Sequence, residues 1–235
     1  MVQNQGAAKV KTRQVKIRHI RKKPEVRSEE IITVARDILA TKGFEGLTFR
    51  AVATGTGVRM SSVQYHYPSR GRLYFAVVAK TMEEWYEGAR SILESDSDPE
   101  VRLGLICQWN ITEVLKGDTR SILFQILGMA QRELDVSQVL NEGYLIYRKL
   151  FARVLQEIRP DLDSMVLMTL ATLFVSHLEG LAIFVAPNDL ACLPEVLLRE
   201  MSRNFVEGYI VAIKGISSAR VEQIIDRSNR VRKTR

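Results

Sequence analysis

Cysteine, histidine and proline are all scarce: the 235 residues hold two, three and six of them. Cys107 and Cys192 stand far apart, with no CxxC and no Cys/His spacing, so neither a thiolate metal site nor a disulfide framework fits. His19, His66 and His177 fall in three separate segments and none pairs with another at metal-ligand spacing. Nucleophile elbows, phosphate-binding glycine loops and paired-carboxylate motifs are missing too. These absences predict a protein that is not an enzyme and that carries no metal and no cofactor. Nothing at the N-terminus reads as a signal peptide, and two isolated thiols fit a reducing cytoplasm. Both cysteines are expected as small core hydrophobes, with redox sensing by Cys107 as the alternative for that residue.

Runs of alternating β-branched residues bounded by turn dipeptides are also lacking, which argues against strands. Glycine and proline are sparse within the long periodic segments. With 46% apolar residues there is ample material for a core. The expected fold is all-α, as one large domain or two modest ones sharing an interface.

Charge is unevenly spread. The net value is +7, yet residues 1–27 contain nine Lys/Arg against Glu25 alone, and residues 216–235 contain six against Glu222 and Asp226. Between them, residues 28–215 carry 19 basic and 24 acidic groups. Two basic ends flanking an acidic body suggest a polyanion partner or, alternatively, solubilising tails. Residues 166–186, VLMTLATLFVSHLEGLAIFVA, are long and apolar enough to cross a bilayer. Against a span stand His177 and Glu179 near the middle and the lack of a basic flank; a helix buried on all sides by its own subunit and a partner reads the same way.

Residues 47–72, LTFRAVATGTGVRMSSVQYHYPSRGR, hold the densest local signals. Thr48 suits an N-cap, Val52 and Ala53 give a first short helix its buried side, and Gly57 ends it where φ > 0 is tolerated. Val58 fills the turn. Ser61 and Ser62 open a second helix, Val63 and Tyr67 are its buried positions, and Pro68 stops it. Arg59, Met60, Ser61, Ser62, Gln64, Tyr65 and His66 face outward. Two turns with so little apolar surface add little to a core and suit the reading element of a helix-turn-helix.

From about residue 28 to 79 the chain resembles the N-terminal domain of the TetR family of bacterial transcriptional repressors. The likeness rests on an apolar-periodic helix ending in Lys42-Gly43-Phe44, then Leu47-Thr48, Val52-Ala53, Gly57-Val58, the run Tyr65-His66-Tyr67-Pro68-Ser69, and Arg70. It departs where the usual Ala-Gly is Thr56-Gly57 with an extra Gly55, where Ser-Lys is Arg59-Met60, and where a frequent Tyr is Gln64. Those departures leave the operator sequence unpredictable. The resemblance implies base contacts from Arg50, Arg59, Met60, Ser61, Ser62 and Gln64, of which Arg and Gln suit guanine and adenine. It implies phosphate contacts from Thr48, Tyr65, His66 and Arg70; packing against the first helix is the alternative for Tyr65 and His66.

The remainder reads as helices over about 28–42, 70–93, 99–116, 119–132, 137–159, 163–186 and 192–214, beside the short pair. Asp98-Pro99 marks one start, and Gly117-Asp118 is expected as punctuation. The expected divisions are a basic disordered arm at 1–27, a DNA head at 28–79, an effector-binding and dimerisation body at 80–215, and a basic tail at 216–235. The resemblance implies a body that binds a small molecule. Candidates for its walls are Trp109, Phe124, Tyr144, Tyr147, Phe151, Phe174 and His177, an apolar-aromatic set suited to a hydrophobic effector. Small residues recur every fourth position at Thr172, Ser176, Gly180 and at Asn204, Gly208, Ala212; such stripes suit a four-helix seam between two subunits, or packing within one. The partners implied are double-stranded DNA, a second copy and a small-molecule effector, with no membrane. The resulting expectation is a homodimeric repressor released from a palindromic operator by a hydrophobic effector. A constitutive architectural DNA-binding protein and a protein tethered to a membrane by 166–186 are the alternatives.

Overall fold

The computed structural model describes residues 24–185, 194–221 and 223. Most of the basic arm, Cys192 and most of the basic tail lie outside them. The described elements are α1 (Pro24–Gly46), α2 (Phe49–Thr56), α3 (Met60–His66), α4 (Arg70–Leu93), α5 (Pro99–Leu115), α6 (Gly117–Ala130), α7 (Leu134–Ile158), α8 (Ser164–Phe184) and α9 (Glu195–Lys214). No strand occurs among the described residues, and the fold is all-α with an N-terminal helix-turn-helix.

Local chemistry sets most boundaries. α1 is regular up to Gly43, whose φ of 65° breaks it. Ser69 caps α4 by accepting from the Arg72 N–H, and Asp98 caps α5 by accepting from Glu100, with Pro99 at the first helical position. Gly117-Asp118, expected as a break, instead forms the first turn of α6. The chain turns one residue earlier, at extended Lys116, and Asp118 sits where the helix N-terminus favours an anion.

Two packed regions share α4. Around the helix-turn-helix, Ile31, Ala35 and Leu39 of α1 meet Val52 of α2, Val63 of α3 and Leu73, Val77 and Val78 of α4. This core is closed by Ile122 and Ile126 of α6 and by Val136 and Leu140 of α7. The larger core is built from α5, α7, α8 and α9, with Leu103, Ile106, Phe151, Leu155, Phe174, Leu178, Ile210 and Ile213 buried together. Two polar ties fasten the regions: the Tyr74 hydroxyl donates to the Gln125 carbonyl at 3.1 Å, and the Ser121 hydroxyl donates to the Ala40 carbonyl at 2.6 Å. A division at residue 79 therefore falls inside α4, and the head takes part of its core from the body.

α8 is the one helix among the described residues long and apolar enough to cross a membrane. One stripe of it, Leu167, Ala171, Phe174, Val175, Leu178 and Ala182, is buried in the protein. The opposite stripe is bare: Met165, Leu173 and Ile183 are 61%, 59% and 56% exposed.

Candidate functional site

The turn between α2 and α3 is built as the sequence predicts. The Thr48 hydroxyl oxygen accepts from the Ala51 N–H at 3.1 Å. Gly57 adopts φ 67°, a left-handed cap that a side chain would strain, and its N–H reaches back to carbonyls of the last turn of α2. Val58 follows, half-buried against the head core. α3 begins at Met60, one residue ahead of the serines. Its single buried side chain is Val63, and Tyr67 lies just past its end with its hydroxyl 2.7 Å from that of Ser28. Only Val63 and the helix termini hold this element, so its remaining surface is free for another task.

Arg50, Arg59, Met60, Ser61 and Gln64 are exposed together, and Ser62 and His66 are half-buried. Tyr65 is 82% exposed, which rules out packing against α1; its ring sits edge-on to that of His66, 5.5 Å between centroids. Thr48 spends its oxygen on the cap but keeps its proton for a partner. Arg70 is engaged within the head. Its guanidinium donates to the Phe44 carbonyl at 2.5 Å, pairs with Glu45 at 3.2 Å and stacks 4.0 Å from the Phe44 ring. It braces the end of α1 against the start of α4. Arg72, two residues on, is exposed, and its guanidinium has no partner among the described residues. Its position beside the turn, where Arg70 drew attention, was the available signal.

At Gly55 a Cβ would lie 2.5 Å from Cγ1 of Val34, so the glycine lets α2 lie close on α1.

In the body, α4 to α8 line a cavity of about 70 Å³, partly open to solvent. Trp85 and Tyr86 of α4, Trp109 and Asn110 of α5, Tyr144 and Tyr147 of α7 and Glu179 of α8 stand in its wall. Two helical glycines make room for it. A Cβ on Gly88 would come 2.7 Å from the Trp109 ring, and one on Gly143 would come 1.6 Å from the Tyr86 hydroxyl. Of the sequence-predicted wall, Trp109, Tyr144 and Tyr147 are present. The other four are elsewhere: Phe151 and Phe174 are fully buried in the larger core, Phe124 is exposed, and His177 stacks on Phe205 at 3.6 Å on the α9 side. Burial lowers the His177 pKa, keeping the ring neutral. Trp85, Tyr86, Asn110 and Glu179 were missed.

Glu179 is the unusual member. Its carboxylate accepts from the Tyr144 hydroxyl at 3.1 Å, and no basic side chain pairs with it among the described residues. Burial raises its pKa above the ordinary carboxylate range, an effect the Tyr144 hydrogen bond partly opposes. Trp85 Nε1, the Tyr86 hydroxyl and Asn110 Oδ1 are buried in the same wall without partners. Cys107 lies nearby in the core, where burial pushes its thiol up to about 11 despite a Ser202 hydrogen bond. At neutral pH it is a protonated thiol with little redox reactivity.

The small-residue stripes face outward. Ser176 is exposed and Thr172 and Gly180 half-exposed on α8; Asn204, Gly208 and Ala212 are exposed on α9. A Cβ added to Gly180 or Gly208 meets nothing within 4 Å. Thr172 and Ser176 donate their hydroxyls to carbonyls of their own helix at 2.7 and 2.8 Å. Their polarity is thus already satisfied, and covering them costs little. Val211, 70% exposed, and Met201 extend the apolar surface on α9.

Residues 31–77 match the family model described as "Bacterial regulatory proteins, tetR family". An HTH-type transcriptional regulator from the dhlA 5′ region of Xanthobacter autotrophicus is 23% identical over 192 residues, covering 74% of this chain and 88% of its own. The HTH-type transcriptional repressor KstR2 of Mycolicibacterium smegmatis is 20% identical over 146 residues, 60% of this chain and 71% of its own. Among solved structures, a transcriptional regulator from Rhodococcus sp. Rha1 superposes with a TM-score of 0.66 at 17% identity, covering 81% of this chain and 99% of that one. A regulator from Saccharomonospora viridis, solved in complex with choline, gives 0.62 at 16% identity, covering 80% and 96%.

Proposed function

From the premise that the chain is a TetR-family transcriptional regulator, we propose that it is a homodimeric repressor released from a two-fold operator by a small molecule held in the α4–α8 cavity. The observation that carries this reading is the double duty of α4. Leu73, Val77 and Val78 bury in the head, and further along the same helix Trp85 and Tyr86 wall the cavity. α6 repeats the arrangement, with Leu123 on the cavity and Ile122 and Ile126 in the head core. A ligand that favours one placement of α4 and α6 favours one spacing of the two heads, and only one spacing fits successive major grooves. The cavity also weighs against a constitutive architectural protein. The name of KstR2 supports repression, and the choline complex of the Saccharomonospora regulator supports a small-molecule site in this fold.

On the head, Arg50, Arg59, Met60, Ser61, Ser62 and Gln64 are assigned to base edges, and Thr48, Tyr65, His66 and Arg72 to phosphates. Selection of operators from random duplexes, followed by fluorescence anisotropy, tests this. Arg50→Ala and Gln64→Ala should each cost about 1–3 kcal/mol on the selected site and far less on random DNA. Arg72→Ala should weaken both DNAs alike, since phosphates carry no sequence information. Equal losses on both DNAs for all three variants would overturn the assignment of base reading. Release is tested by titrating candidate effectors into the operator complex; if compounds that occupy the cavity never change operator affinity, the effector reading fails.

A further inference from the structure

The wall of the cavity is an incomplete set of chemical partners. Five aromatic side chains, Trp85, Tyr86, Trp109, Tyr144 and Tyr147, converge there with the charged groups Glu113, Arg120 and Glu179. The first two of these charged groups are already engaged. Glu113 pairs with Lys116 at 2.6 Å, and Arg120 donates to the Val185 carbonyl at 3.1 Å at the end of α8. Glu179 has only the Tyr144 hydroxyl. Nearby, Asn110 Oδ1 and the Tyr86 oxygen receive no donor, and the Trp85 indole N–H reaches no acceptor. A half-buried carboxyl with no base beside it, ringed by electron-rich faces, is matched by a positive charge. An anion would be repelled by an ionised Glu179, and a neutral chain would draw no attraction from it.

Resting on the effector reading above, we infer that the cavity takes an amphipathic organic cation, an alkylammonium with Glu179 as counter-ion and the Trp and Tyr rings around its head and chain. Aromatic faces attract such cations through their quadrupoles, most strongly where water is excluded. Burial holds the empty carboxyl toward its neutral form, and the arriving cation restores the ionised one.

The chain's two tryptophans, Trp85 and Trp109, both stand in this wall, so intrinsic fluorescence reports its occupancy. The test compares decyltrimethylammonium, decanol and decanoate below their micellar concentrations, on the full chain, with operator release followed in parallel. The cation should bind saturably, about tenfold or more tighter than decanol, with decanoate weakest. Glu179→Gln preserves an acceptor for Tyr144 and should keep the melting temperature. It should weaken the cation about thirtyfold while changing decanol less than about twofold. Absence of saturable cation binding, equal affinity for decanol or decanoate, or an unchanged cation affinity in Glu179→Gln would overturn the inference. Operator release by decanol or decanoate with the cation inert would sink the cation while sparing the effector reading. A cation that binds through Glu179 yet leaves the operator complex intact would do the reverse.

Discussion

Gly180→Arg is expected to yield a folded monomer. In a single subunit an added Cβ there meets nothing within 4 Å, so the melting transition of the body should survive. In a dimer sealed by α8 and α9, an arginine on each copy would face the seam. In such a dimer the bare Met165, Leu173, Ile183 and Val211 would be covered by the second copy. Splitting the dimer separates two half-site contacts, and operator affinity should fall by about 10²–10⁴ as the effective concentration of the second head is lost. Light scattering and anisotropy read both effects. A soluble, dimeric Gly180→Arg variant would move the seam elsewhere.

The second large effect is expected at Gly143. Alanine improves helix propensity by about 1 kcal/mol at an ordinary exposed position. Here its methyl would sit inside the Tyr86 ring, 2.3 Å from Cζ. The ring must leave the cavity wall, and overpacking of this kind costs about 1–3 kcal/mol. For a chain of this size that is a fall of roughly 2–12 °C in melting temperature. The sign should reverse when the ring is removed: in a Tyr86→Ala background, Gly143→Ala should stabilise. An identical penalty in both backgrounds, measured by calorimetry, would refute the steric account.

The head was legible because its determinants are local. A threonine cap, a glycine needing φ 67° and a proline stop each act within a few residues, and their spacing carries the turn. The cavity depends on five helices meeting, and residue type alone cannot assign a phenylalanine to a wall or a core. Phe151 and Phe174 went to the core and Trp85 and Tyr86 to the wall, a choice made by helix rotation. Glu179 had left a trace: a carboxylate amid the apolar run 166–186 was counted as a cost to membrane insertion. The same cost applies to any dry interior, and it pointed to a polar site within the bundle. Arg70 shows the other side of this. Its neighbourhood suggests a phosphate, while only the folded chain brings the Phe44 carbonyl at the end of α1 within its reach.

Ile122, Ile126, Val136 and Leu140 complete the core beneath the helix-turn-helix. For protein engineers this fixes the smallest portable unit. A graft of residues 24–79 onto a foreign effector module would arrive with an open floor, and chimeric regulators built at that junction should express as aggregates. A junction that carries the α6 face along, or a host whose own α6 offers side chains of matching volume, should transplant the operator preference intact.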